Sequence, residues 1–252
     1  TRFKCDWSSD VCSSDLQAGA RTSGSWTEVF GPIPAADEAF MAWHYARYMD
    51  HIAALGKKEY PLPVLVNAWL VQPQDKLPGD YPTGGPQAHN HDIWRAAAPN
   101  IDILAPDIYL PNFAAIGEQY SRAGNPLFIP ETRADAANAF HAFGQLNAQM
   151  FSPFGIERQP ADSPLAKAYA VLSQLAPLIL KHQGSKALRA VVIEPGAAAQ
   201  TVQFGGYVFD CAVGRGWRAP ASARTRGYAL FIQTAPDEFY AARSGINIRF
   251  AS

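Results

Sequence analysis

Pro126-Leu127-Phe128-Ile129-Pro130-Glu131-Thr132-Arg133 is the stretch on which the fold turns. An apolar run ends in a single acid, and a helical pattern opens at Asp135. A buried strand that delivers a carboxylate to its C-terminal tip, with a helix next, is the repeating unit of an alternating barrel. In such barrels the catalytic side chains sit at those tips. Two upstream runs end the same way: Val64-Leu65-Val66-Asn67-Ala68-Trp69, and Ile101-Asp102-Ile103-Leu104-Ala105-Pro106-Asp107-Ile108-Tyr109. A carboxylate accompanied by Asn, Trp and Tyr suits a sugar, which calls for acid/base chemistry and flat aromatic faces.

Working outward, the spacing predicts a helix with Asp37 at its N-cap. Phe40, Met41, His44, Tyr45, Tyr48, Ile52 and Leu55 recur near helical spacing before Gly56 closes it. A Gly-, Ser- and Thr-rich loop from Gln17 to about Pro34 precedes it. After the Asn67-Ala68-Trp69 strand comes a long Pro/Gly loop, Gln72 to about Asn90, of a length that marks functional loops. A short helix around Trp94 stops before Pro99. Further helices follow the Tyr109 and Glu131 strands, the first from Asn112 to Gly124 and the second from about Asp135 to Phe143. A strand from Asn147 to Phe154 leads to a helix with Ser163 at the N-cap and Pro164 at its first position, ending at Gly184. Pro177 is expected to kink that helix. Four strand-helix units in series predict an α/β fold with a parallel sheet. A closed barrel needs eight units in about 250 residues, so the expectation is the C-terminal half of a (β/α)8 barrel over 17–184. The texture then turns β-rich: Leu188–Ile193, Gln203–Phe209, Tyr228–Ile232 and Ile246–Phe250 read as strands of a partial accessory domain over 185–252.

Composition narrows the function classes. Across 252 residues the formal net charge is -1, with no basic runs, which leaves nucleic acid without an electrostatic footprint. No apolar run nears the roughly 20 residues of a membrane span. Cys5, Cys12 and Cys211 define neither a disulfide framework nor a zinc pattern. Residues 1–16 hold the near-duplicate Ser8-Ser9-Asp10-Val11 and Ser13-Ser14-Asp15-Leu16, lack periodicity, and are expected to be non-native read-through that packs against nothing.

Several motifs together carry a resemblance. Trp26-Thr27-Glu28-Val29-Phe30-Gly31, Met41-Ala42-Trp43-His44-Tyr45-Ala46-Arg47-Tyr48, Val66-Asn67-Ala68-Trp69-Leu70, Leu104-Ala105-Pro106-Asp107-Ile108-Tyr109, Phe128-Ile129-Pro130-Glu131 and Ser152-Pro153-Phe154-Gly155-Ile156-Glu157 resemble glycoside hydrolase family 35. More narrowly, they resemble its bacterial β-galactosidases that carry a small β-rich domain after the barrel. The resemblance implies a retaining mechanism on terminal β-linked galactose, with Glu131 as nucleophile at the end of the seventh strand. It implies no metal or organic cofactor, a β-galactoside oligosaccharide or polysaccharide side chain as partner, and a periplasmic or secreted setting. It also places the acid/base glutamate in an Asn-Glu pair upstream of the Trp26 loop, and no Asn-Glu dipeptide occurs in this chain. The expectation is a fragment that lacks the proton donor, is inactive by itself, and stops inside the β-rich domain.

Each candidate carries a plainer alternative. Glu131 is either the nucleophile or an acid facing a helix N-terminus. Tyr109 either donates its hydroxyl to the nucleophile or plugs a barrel rim, and Asp107 is its supporting partner or a buried strand-end acid. Asn67 and Trp69 share a strand face; they bind sugar hydroxyls and the apolar sugar face, or they cap a strand and fill a core. Phe154, on one face with Ser152, lines the pocket or packs a barrel end. Trp26 shapes a subsite or anchors its loop. His89-Asn90-His91-Asp92 reads as a polar loop ending in a helix cap rather than a metal site. The rival functions are a non-catalytic carbohydrate-binding or scaffold fragment, and a retaining glycosidase for another sugar.

Overall fold

A computed structural model describes residues 3–4, 23–70, 76–122, 124–213 and 226–251. Two compact units divide between Leu110 and Pro111. Among the described residues each unit holds a pair of parallel strands interleaved with helices, and antiparallel sheets follow, so the chain is a mixed α/β protein.

In the first unit, β1 (Phe3–Lys4) pairs antiparallel with β2 (Ser23–Gly24). Trp7, Cys5 and Cys12 lie outside the described residues. The supposed loop before Pro34 contains a helix, α1 (Trp26–Phe30). Ser25 and Glu28 close a reciprocal capping box around its first turn. Helix α2 (Pro34–Glu59) starts earlier than predicted and runs through Gly56. Pro34, with its φ already helical and no N–H to lose, makes the start, so Asp37 lies in the first turn instead of at the cap.

The buried face of α2 also differs from the periodic reading. Ala36, Glu38, Ala42, Ala46 and Ala53 are buried, whereas Tyr45, Tyr48, Ile52 and Leu55 are exposed. Small side chains let α2 approach closely, and Ala42, Ala46 and Ala53 join Trp94, Ala97, Ile101 and Leu104 in one core cluster. The large apolar residues form a neighbouring stripe at 3–4 spacing. Strands β3 (Leu65–Trp69) and β4 (Ile103–Ile108) pair in parallel, Leu65 opposite Ile103 and Trp69 opposite Asp107. The start of this pair is fixed by Asp102, whose carboxylate accepts from the Val64 amide at 2.7 Å and meets Lys57 Nζ at 2.6 Å. Between the strands lies α3 (His91–Ala97).

The second unit opens with α4 (Phe113–Tyr120), followed by β5 (Phe128–Thr132), α5 (Ala136–Gly144) and β6 (Met150–Pro153). Strands β5 and β6 are parallel. Asp135 caps α5 by accepting from the Asn138 amide at 3.0 Å. Helix α6 (Pro164–His182) begins as the sequence predicts and continues through Pro177. Its first turn rests on Ser163, whose hydroxyl oxygen accepts from the Ala166 amide at 3.2 Å. Ser163→Ala should therefore cost about 0.5–2 kcal/mol and Ser163→Asp far less. Thermal unfolding of the two variants side by side checks this, and equal losses would discard the cap.

The remaining strands are β7 (Leu188–Ile193), β8 (Gln200–Phe204), β9 (Tyr207–Val213), β10 (Gly227–Ala235), β11 (Glu238–Ser244) and β12 (Ile246–Ala251). They form two three-stranded antiparallel sheets, β11-β10-β7 and β12-β9-β8. The run read as one strand over Gln203–Phe209 is a hairpin: Phe204 pairs with Tyr207 across Gly205-Gly206, and Gly205 is left-handed at φ 58°. Val191, Ile193, Ala229 and Phe231 from one sheet pack with Val202, Phe204, Cys211 and Ile246 from the other, so the sheets enclose a shared core. Burial there, with Asp210 adding to it, pushes the Cys211 thiol up to about 11. Helix α5 lies on β7 and β10. Gly144 makes that approach possible, since a Cβ there would sit 2.6 Å from Ala190 Cβ. Core packing thus runs across the change of texture expected at Gly184–Ser185.

Candidate active site

In the first unit, the parallel ladder gathers four of the sequence candidates at one strand end. Asn67 stands opposite Ala105 and Trp69 opposite Asp107. Each side chain then meets the residue two beyond its partner. Asn67 Nδ2 donates to Asp107 Oδ2 at 2.7 Å, and the Trp69 and Tyr109 rings lie 6.2 Å apart. Repeating the same diagonal offset means that these four side chains share one sheet face. Asp107 is buried, and a hydrogen bond to a buried carboxylate contributes about 1.5–3 kcal/mol. Asn67 is thereby oriented by its neighbour. Trp69 is 51% exposed, so its indole is a surface face and not a core plug.

Trp26 follows the plainer alternative. Its indole N–H donates to the Ala36 carbonyl at 2.7 Å, and its ring contacts Phe30 and Phe40. It anchors α1 to the start of α2.

The long loop is held by an acid that the sequence reading passed over. Glu38 accepts from the Tyr81 hydroxyl at 2.8 Å, meets His89 Nε2 at 2.9 Å and accepts from the Gly84 amide at 3.5 Å. Burial pushes the Glu38 carboxyl up, but the His89 and Tyr81 hydrogen bonds outweigh it and hold the group below its ordinary range. The reciprocal effect, burial together with the Glu38 bond, raises the Tyr81 hydroxyl. His89 therefore serves this carboxylate, while His91 is buried in the first turn of α3. The signal was legible: Glu38 lies four residues before Ala42 and eight before Ala46, on the buried face.

In the second unit, Glu131 sits at the C-terminal tip of β5, and its seat is irregular. Ile129 pairs with Phe151 but Thr132 with Pro153, so β5 holds one residue more than β6 between those pairs. The extra residue falls at Pro130-Glu131. Proline has no N–H for the ladder and is tolerated at such bulges. The bulge breaks the in-out alternation: Ile129 and Thr132 are buried, and Pro130 and Glu131 between them are both partly exposed. Bulges of this kind re-aim side chains and are common beside active sites. Phe154 follows β6, where its amide donates to the Thr132 carbonyl at 2.9 Å and its side chain is 64% exposed. Ser152 is half-buried in β6. Behind the tip, Arg226 binds Asp135 and Asn138 at 2.9 Å and Glu194 at 2.7 Å, fixing the start of α5 to the ends of β7 and β10.

Residues 165–252 match a family model described as a domain of unknown function (DUF5597), a domain found at the C-terminus of some glycosyl hydrolase-like proteins. The match begins in the first turn of α6 and takes in β7 to β12. No curated relative matches the chain. Among the described residues, no helix is long and apolar enough to cross a membrane.

Proposed function

We propose that this chain carries the nucleophile of a retaining glycoside hydrolase that releases terminal β-linked galactose. The observation that carries the reading is the seat of Glu131, a partly exposed carboxylate at the C-terminal tip of a parallel strand, in a bulge, with a capped helix following. In this reading Glu131 attacks the anomeric carbon, the glycosidic C–O bond breaks, and a galactosyl ester forms that water then hydrolyses. In the first unit Asn67 hydrogen-bonds sugar hydroxyls, and Trp69 and Tyr109 offer apolar ring faces; in the second, Phe154 offers another. The chemistry calls for no metal or organic cofactor, but it needs a second carboxyl as acid and then base.

The fold assigned to this function is a (β/α)8 barrel, of which the chain supplies four strand-helix units. Support comes from the Tyr45, Tyr48, Ile52 and Leu55 stripe, an exposed apolar helix face of the kind that a neighbouring unit covers. The C-terminal domain match is a second support. The rival reading, a carbohydrate-binding scaffold without turnover, draws on the exposed Trp69 and on the missing Asn-Glu pair.

Covalent trapping tests the proposal on the chain itself. Dinitrophenolate departs without protonation, so a dinitrophenyl 2-deoxy-2-fluoro-β-galactoside needs no proton donor. The fluorine slows hydrolysis of the ester. The expected result is one fluorogalactosyl mass increment on the peptide bearing Glu131, absent in Glu131→Gln. Labelling on another carboxylate, or none at all, would refute the assignment.

A further inference from the structure

Glu38 is a buried acid that the proposed chemistry leaves unused, and its partners all belong to one loop. Residues 76–90 supply Tyr81, Gly84 and His89, three donors to a carboxylate that is 3% exposed. A carboxylate is buried at a high cost unless it is well partnered. Its presence at this position therefore ties the loop to α2 rather than merely decorating it. The tie is reinforced on both sides. Gly84 adopts a left-handed φ of 88°, and a Cβ there would sit 2.8 Å from Met41 Cβ and 3.0 Å from the Ala42 amide. The Trp94 indole donates to the Gly84 carbonyl at 3.1 Å.

From this anchored loop Gln87, itself buried, reaches the tip of β3 and donates its side-chain amide to the Trp69 carbonyl. Trp69 is half exposed with its ring against Tyr109, and Gln87 adds a hold on its backbone. One carboxylate thus stands at the base of a chain of contacts that ends beneath an exposed aromatic face.

We propose that Glu38 is a positioning residue that latches the 76–90 loop, so that Gln87 holds the Trp69 tip ready to receive a sugar ring. The sugar in this statement rests on the glycosidase reading; the latch itself does not. Among the described residues, Tyr81 and His89 are the titratable side chains that face Glu38. Glutamine at position 38 would keep the shape but lose the charge that draws those donors together.

The test combines hydrogen exchange with galactoside binding on the full chain. In Glu38→Gln, exchange of the 76–90 amides should rise about tenfold, the factor that a weakened charge-assisted hydrogen bond represents. Peptides from α5 and β5 should not change. Methyl β-galactoside affinity, read by tryptophan fluorescence, should fall by about tenfold. The rate of Glu131 labelling at saturating fluorogalactoside should hold, a split that general destabilisation would not produce. Gln87→Ala leaves the Glu38 partners intact and should lower affinity with the loop still protected, which keeps the test open if Glu38→Gln misfolds. Unchanged loop exchange in Glu38→Gln, or unchanged affinity in both variants, overturns the latch. If the unaltered chain binds no galactoside while loop exchange still responds to Glu38→Gln, the sugar-positioning role falls with the glycosidase reading, and only the loop anchor stands.

Discussion

Glu131→Gln should lower turnover of an aryl β-galactoside by roughly ten-thousandfold or more, the scale on which loss of a covalent nucleophile is felt. On the proposed reading the assay uses the chain within a barrel that also carries an acid/base glutamate, because an ordinary sugar leaving group departs only with a proton. The amide fills nearly the same volume and keeps a hydrogen-bonding oxygen, so the fold and sugar affinity should persist. A loss confined to kcat is therefore expected, with little movement in KM. Azide added to Glu131→Gly should restore consumption of an activated galactoside and yield the α-galactosyl azide, since the small anion enters from the vacated face. Turnover in Glu131→Gln within tenfold of the parent would remove Glu131 as nucleophile.

Phe231→Ala should be the most damaging single truncation in the C-terminal sheets. The side chain is fully buried, and its ring lies 5.4 Å from that of Phe209. Phe209 in turn contacts Phe204, Phe239 and Phe250, so the ring belongs to an aromatic cluster joining both sheets. Truncation removes the buried ring and leaves a void that close-packed neighbours fill only in part. A loss of about 3–5 kcal/mol is expected, and Phe231→Leu should lose much less. Urea unfolding followed by near-ultraviolet circular dichroism measures the difference. A loss below about 1 kcal/mol would mean that the two sheets do not share a packed core.

Local signals carried the elements that the sequence predicts well. Ser163-Pro164 announced α6, and the apolar runs around Ile103–Ile108 and Phe128–Thr132 became parallel strands. The errors came from competing interactions. Helix α2 buries Ala42, Ala46 and Ala53 and exposes Tyr45, Tyr48, Ile52 and Leu55, because close approach to Trp94 and Leu104 favours small side chains. Periodicity reports a face, but not which of two adjacent faces is covered. The α1 helix was legible from Ser25 and Glu28 alone, since a capping box needs only that spacing. The Gly205-Gly206 turn was equally readable as a two-residue hairpin. At the site, Asn67 and Trp69 share a face as alternation required, whereas their diagonal partners, Asp107 and Tyr109, depend on the register between two strands separated by a long loop and a helix. The Glu38 cluster was hidden for the same reason: its partners lie 43 to 51 residues away along the chain.

The extra residue in β5 also determines how this strand could be borrowed. Because Ile129 and Thr132 keep their pairing with two residues between them opposite one, the bulge rather than strict alternation sets where the carboxylate stands. The Pro130-Glu131 pair behaves as a cassette: transplanted into another parallel sheet, it would insert one residue and shift every later position by one relative to strict alternation. An ungapped alignment of this strand against a regular one would likewise assign Thr132 to the opposite face.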